Sequence, residues 1–188
     1  MPRLPTAGQI GGEVMAFSAA EGFIAPALED FDRVHEMAAQ LMSHKVSSVA
    51  TFKAVQAVQP WSSYVFREDG LITGLMGLLL LRPAALPRLM GGTFDGVEVD
   101  TDLLCRDDDV PAIGYGWGFA ATTPASSAAL KACGSPLRFG PLGCLTFVST
   151  AVTPAGRHVC MTRYGYRPMR HPDDNLLISD PIAVRKAA

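Results

Sequence analysis

Gly114-Tyr115-Gly116-Trp117-Gly118-Phe119-Ala120-Ala121-Thr122-Thr123-Pro124, followed by Ala125 to Cys133 and then Gly134, decides how this chain is read. An apolar strand runs into Thr-Pro, then a short helix, then a closing glycine. The same phrase returns at Leu145 to Ala151, Thr153-Pro154, Ala155 to Tyr164 and Gly165. Each part has a physical cause. A threonine side chain caps the first helical turn, proline there lacks only an N–H that would be orphaned anyway, and glycine past the end tolerates the left-handed cap. Two such units predict a sheet with helices packed on it. They also set two helix N-termini, each with partial positive charge, at strand ends where an anionic ligand can sit.

Side chains alternate across a strand. That rule puts Tyr115, Trp117 and Phe119 on one face and leaves Gly114, Gly116, Gly118 and Ala120 on a nearly bare one. Glycine inside a strand marks a bend, a tightly packed helix or a closely approaching ligand, and the sequence leaves these open. The spacing is not the dinucleotide-binding G-x-G-x-x-G, because no third glycine opens the helix. A Rossmann domain is thereby excluded.

Composition narrows the class. The 188 residues suit one domain spanning 1–188, and 48% hydrophobic with 18% charged residues place it among globular chains. A net charge of −2 without a dense Lys/Arg block argues against nucleic-acid or polybasic membrane binding. Cys105, Cys133, Cys144 and Cys160 form no C-x-x-C pair and fit no zinc module, so a reduced, cytoplasmic setting is expected. No N-terminal stretch has the pattern of a signal peptide. The apolar run Leu71 to Leu81 is too short for a membrane span, for which roughly 20 residues are needed, and reads as a core strand.

Outward from the repeated units, the first ten residues carry Pro2, Pro5 and Gly8 and are expected to be loosely ordered, with Glu13 to Ala19 as a first strand. Apolar spacing predicts helices from Leu28 to His44 and from Ser48 to Val58. A hairpin comes next, from Ser62 to Arg67, through Glu68-Asp69-Gly70, to Leu71–Leu81. Pro83 to Met90 reads as one or two helical turns, Thr93 to Pro111 as a polar acidic stretch, and Asn175 to Ile182 as a last strand. The expected order is strand, helix, helix, hairpin, strand, helix, strand, helix, strand.

Two local patterns within this order resemble the GNAT superfamily of acyl-CoA-dependent N-acyltransferases. One is Tyr64-Val65-Phe66-Arg67-Glu68-Asp69-Gly70-Leu71-Ile72-Thr73-Gly74, similar to the family's second and third strands. The other is Thr153 to Met169, similar to its last helix, with Gly165-Tyr166 in the place of a Gly-Phe pair and a short strand after it. The resemblance spans roughly Glu13 to Ile182. It implies a mixed, mostly antiparallel twisted α/β sheet flanked by helices, and acetyl-CoA or another acyl-CoA as substrate, with an amine acceptor that the sequence does not identify. The strand beside the cofactor would supply Trp117, Phe119, Ala120 and Ala121. The phosphate seat would be Thr122, Thr123, Ala125, Ser126 and Ser127, where backbone N–H groups and hydroxyls hold an anion without a basic residue.

Two departures bear on catalysis. The family's phosphate loop usually reads Arg/Gln-x-x-Gly-x-Gly/Ala, whereas Thr122 to Ser127 contains no glycine and Pro124 removes a donor. The family's tyrosine acid lies four residues before the glycine of the Gly-Phe pair, where this chain has Met161, whose thioether donates no proton. Tyr164, three residues on, shares the helix stripe and is the candidate acid. A GNAT-like protein that binds acyl-CoA or regulates without chemistry is the alternative. A homodimer is among the assembly states left open.

Other constellations point to bland roles. His158 beside Arg157 reads as a polar surface residue. His171 with Asp173 and Asp174, and the run Asp107-Asp108-Asp109, lack the companions of a metal site. Ser126, Ser127 and Ser149 have no G-x-S-x-G context, and Trp61 reads as packing.

Overall fold

A computed structural model describes residues 4–41, 46–169 and 175–182. The expected strand at Glu13 to Ala19 is a helix: α1 spans Ala7–Ala20 and takes in much of the stretch expected to be loose. Its start is a capping box, in which Thr6 caps the Gln9 N–H and the Gln9 side chain accepts from the Thr6 N–H. The buried positions Ala7, Ile10, Gly11, Val14 and Ser18 have helical spacing, but two of them are glycine and serine, so the stripe is faint in sequence. Gly11 is there for space: a Cβ on it would lie 2.3 Å from the Trp61 ring. Trp61 is indeed a packing residue, 4% exposed beneath this helix.

A short strand β1 (Phe23–Ile24) and a 3-10 turn (Leu28–Asp30) lead into α2 (Phe31–Leu41) and α3 (Val49–Val58). The expected end of the first of these helices, Met42 to His44, lies outside the described residues. Ser48 caps α3 through the Thr51 N–H. The hairpin is as expected, with β2 at Ser63–Glu68 and β3 at Leu71–Leu81. Asp69 and Gly70 both have positive φ, 49° and 81°, which is the two-residue turn that matches strand twist. After α4 (Ala85–Met90) come β4 (Ile113–Ala121), α5 (Pro124–Phe139), β5 (Phe147–Thr150) and α6 (Pro154–Arg163). The chain then adds β6 (Arg167–Pro168) and β7 (Leu176–Ser179).

Among the described residues, seven strands form one sheet in the order β1-β2-β3-β4-β5-β7-β6. Every neighbouring pair is antiparallel except β4 and β5. Apart from the added N-terminal helix, this is the mixed, mostly antiparallel architecture that the GNAT resemblance implies. The sheet has a core on each side. Ile10, Val14, Met76, Leu78, Leu80, Cys133, Leu137 and Phe147 form the one beneath α1 and α5. Phe31, Val34, Phe52, Leu75 and Ala120 form part of the other, beneath α2 and α3.

Helix α5 does not close at Gly134. It runs on to Phe139, with Pro136 inside it, because Leu137 and Arg138 bury in its last turn. Gly134 serves close approach instead, since a Cβ there would fall 2.3 Å from the Tyr164 hydroxyl.

Simple alternation also fails along β4. Gly118 pairs with Gly77 and Gly116 with Leu78, so Trp117 is an extra residue in a bulge. Trp117 therefore stays on the α2–α3 side with Tyr115, its ring 4.8 Å from Phe52. Phe119 crosses to the α5 side, and Gly118 is turned to the α2–α3 side beside Trp117.

Candidate functional site

The β4 bulge sits just where β4 and its parallel neighbour separate. β4 and β5 pair only from Gly114–Gly116 to Phe147–Ser149. β4 runs on to Ala121 and β5 stops at Thr150, each continuing into a Thr-Pro cap and its helix. Two parallel strands that part in this way leave a gap that side chains do not fill.

A cleft of about 380 Å³ lies over that gap, between α5 and α6. Its floor is Met76 and Leu78 of β3, Phe119 of β4, and Phe147 and Ser149 of β5. The α5 wall carries Ser127, Leu130, Lys131, Gly134, Leu137 and Arg138; the α6 wall carries Ala155, Gly156, Val159 and Cys160, with Tyr164 just beyond it. The half near the two helix starts is open, with Lys131, Thr153 and Ala155 exposed. The opposite end is closed by Leu137, Leu142, Phe147 and Tyr166, all buried. The cleft is an apolar trough with a polar mouth.

The bare strand face is covered in part by the neighbouring strand. A Cβ on Gly114 would lie 2.2 Å from the Phe147 ring, and one on Gly116 would lie 2.7 Å from Ser149 Oγ and 2.9 Å from Phe119. These glycines let β5 side chains lean across β4, which keeps the floor of the cleft low.

The two helix starts differ. At α5 the cap is closed on itself: Thr123 Oγ1 accepts from the Ser126 N–H at 3.1 Å, and Ser126 Oγ accepts from the Thr123 N–H at 3.2 Å. Thr123 Oγ1 also donates to the Glu68 carboxylate, which accepts the Thr73 hydroxyl at 2.7 Å as well. Those hydrogen bonds, Thr123 first, hold the Glu68 carboxyl below the usual carboxylate range. A negative side chain thus already answers the positive end of this helix. At α6, Thr153 Oγ1 accepts from the Gly156 N–H at 3.0 Å, and among the described residues no carboxylate bonds to the cap.

Tyr164 ends α6 with its ring in the cleft and its hydroxyl over Gly134. Burial raises its phenol above the ordinary value, so the proton stays on at neutral pH. Met161, on the same helix, is exposed and does not line the cleft. His158 is also exposed and outside it.

Of the cofactor residues expected from sequence, Phe119, Ala120, Ala121 and Ser127 line the cleft together with Tyr164. Trp117 is on the other side of the sheet, where its Nε1 donates to the Gly96 carbonyl at 2.7 Å. Thr122 donates to the Thr73 carbonyl at 3.1 Å. Thr123, Ala125 and Ser126 belong to the α5 cap rather than to the cleft wall, and Ser126 is fully buried. Lys131, Arg138, Ala155 and Gly156 also line the cleft and are not singled out by the sequence, and Tyr166 of the Gly165-Tyr166 pair lines it too. A helical projection of α5 with its true end at Phe139 aligns Ser127, Lys131, Gly134 and Arg138 on one stripe, which is the signal that finds Lys131 and Arg138.

Among the described residues no group of His, Cys, Asp or Glu is placed to hold a metal ion. Asp109 instead pairs with Arg82, while His171, Asp173 and Asp174 lie outside the described residues. All four cysteines are free. No helix among the described residues is long and apolar enough to cross a membrane.

No family model and no curated protein matches the chain. Among solved structures it is similar to GphF, a GNAT-like decarboxylase in complex with isobutyryl-CoA, at 18% identity and a TM-score of 0.45. That match covers 68% of this chain and 64% of the other, so the chain spans less than two thirds of that protein's length.

Proposed function

We propose that the cleft between α5 and α6 holds an acyl-CoA and that the protein transfers its acyl group to an amine. The observation that carries this reading is the cleft itself, an apolar trough about 380 Å³ in volume above two parting parallel strands. An extended thioester arm fits such a trough, and its phosphates would sit at the open end. There the start of α6 offers the small residues Ala155 and Gly156, with Lys131 on the facing wall. This moves the phosphate seat from the α5 cap, which Glu68 occupies, toward α6.

Tyr164 is the proposed acid. Its phenol keeps its proton at neutral pH, lies against the Gly134 backbone, and can protonate a departing thiolate. The acceptor amine would have to arrive neutral or lose its proton to solvent, because among the described residues no Asp, Glu or His lines the cleft. The same observation favours a second reading, in which the fold binds acyl-CoA without turning it over. In either case the expected setting is one cytoplasmic domain acting on small molecules.

Release of free CoA thiol from acetyl-CoA in the presence of a panel of amines separates the two. Amine-dependent release that falls on Tyr164→Phe supports transfer. Tight acetyl-CoA binding with no release for any amine supports the binding reading.

A further inference from the structure

At the closed end of the cleft lies Arg138, only 5% exposed. Its Nη2 donates to the Asp180 main-chain carbonyl at 2.6 Å. Its Nε and Nη1, which carry three of the five guanidinium N–H donors, have no hydrogen-bond partner among the described residues. The Asp180 carboxylate hydrogen-bonds Arg167 at 3.1 Å rather than Arg138, which feels its charge without a direct bond. The side chains around this end are Leu137, Leu142, Phe147 and Tyr166. A buried guanidinium with unsatisfied N–H donors and no direct ion pair is costly, and buried charges are ordinarily paired.

We propose that Arg138 is the anchor for a carboxylate on the far end of the acyl chain, so that the preferred ligand is a dicarboxylic acyl-CoA. Ser127 and Arg138 are eleven positions apart on α5. At 1.5 Å per residue they are separated by about 16 Å. Gly134, which faces the Tyr164 hydroxyl, lies about 6 Å before Arg138, so a thioester at Tyr164 would leave Arg138 within reach of a short acyl group's far end. The cleft thus offers Lys131 and a helix start at its mouth, an apolar middle, and one buried cation at its end. A molecule that matches this order is negative at both ends and apolar between. Phosphates satisfy the mouth, and a terminal carboxylate would satisfy Nε and Nη1 with charge-assisted hydrogen bonds. A neutral acyl chain of the same shape would leave them unpaired.

The carboxylate anchor rests on the acyl-CoA reading and is tested by pairs of thioesters that differ in charge but not in shape. Malonyl-CoA is compared with isovaleryl-CoA, and succinyl-CoA with 4-methylpentanoyl-CoA, by calorimetry on the wild-type protein. At least one carboxylated ligand should bind tenfold or more tightly than its neutral partner. Arg138→Met should reduce that ratio to within twofold while the neutral ligand still binds, and Arg138→Lys should keep part of it. Equal affinities within both pairs, or tighter neutral ligands, overturn the carboxylate anchor and leave acyl-CoA binding standing. Absence of binding by all four overturns the acyl-CoA reading and the anchor with it. Should Arg138→Met fail to fold, the wild-type ratios and the Arg138→Lys variant still decide.

Discussion

The two strand–Thr-Pro–helix units share one sequence phrase and do different work. The β4–α5 unit is built into the core: α5 is 16 residues long, buries Cys133, Leu137 and Arg138, and has its first turn tied to Glu68 of β2. In the β5–α6 unit the helix is shorter by six residues, none of it is fully buried, and its cap has no acid on it among the described residues. One unit is a structural joint and the other is a half-exposed wall with an open end. A local motif therefore fixes the element it starts, and its neighbours decide whether the charge at that helix end is available to a ligand.

Glycine substitutions should separate the units most sharply. Gly114→Val would push into the Phe147 ring and should cost on the order of 3 kcal/mol, the upper range for overpacking a filled core. Gly156→Ala meets only the Thr153 hydroxyl, at 3.1 Å, and should leave stability unchanged or raise it by up to about 1 kcal/mol, as alanine favours helix. Urea unfolding of both variants checks the contrast, and comparable losses would remove it.

The turnover effect of Tyr164 comes next. Tyr164→Phe keeps the ring over Gly134 and removes the transferable proton. It should lower kcat by roughly 10²–10⁴-fold with little change in KM for acyl-CoA, the usual range for a general acid. Undiminished turnover in Tyr164→Phe would clear it of that role.

The same pair of units shows what a sequence can reveal and what it hides. The caps, the Asp69-Gly70 turn and the long apolar strand are legible because each depends on a few adjacent residues. Helix α1 is not, because its buried stripe uses Gly11 and Ser18, which only make sense once Trp61 and the neighbouring helix are in place. The side of the sheet taken by Phe119 is hidden too, since the bulge at Trp117 depends on pairing with Gly77 and Leu78. At the site, the cleft-lining Phe119, Ser127 and Tyr164 can be named from sequence. The closing of the α5 cap by Glu68 cannot, because Glu68 and Thr123 are 55 positions apart.

The capping threonines should give a smaller contrast. Thr153→Ala should cost about 0.5–1 kcal/mol, and Thr123→Ala about 1–2 kcal/mol because a half-buried, reciprocal cap with Ser126 is opened. The difference should also appear in acid. Hydrogen bonds hold the Glu68 carboxyl below its ordinary value of 4.5, so its contribution is present above that value and is lost as pH falls through the lower, folded-state value. Thr123→Ala removes the larger of those bonds and should flatten the stability profile below pH 4.5, whereas Thr153→Ala should leave its shape alone. Parallel profiles for the two variants would show that Glu68 does not belong to the α5 cap in solution.

The central claim, that the trough between α5 and α6 holds acyl-CoA, is met most directly by titrating acetyl-CoA into the protein and into Ala155→Trp, which would plug the open end. The wild-type protein should bind one equivalent and gain stability, about 2.7 kcal/mol at a hundredfold excess over Kd, while Ala155→Trp should fold normally and lose at least tenfold in affinity. No binding to wild type, or equal binding to both, would contradict it.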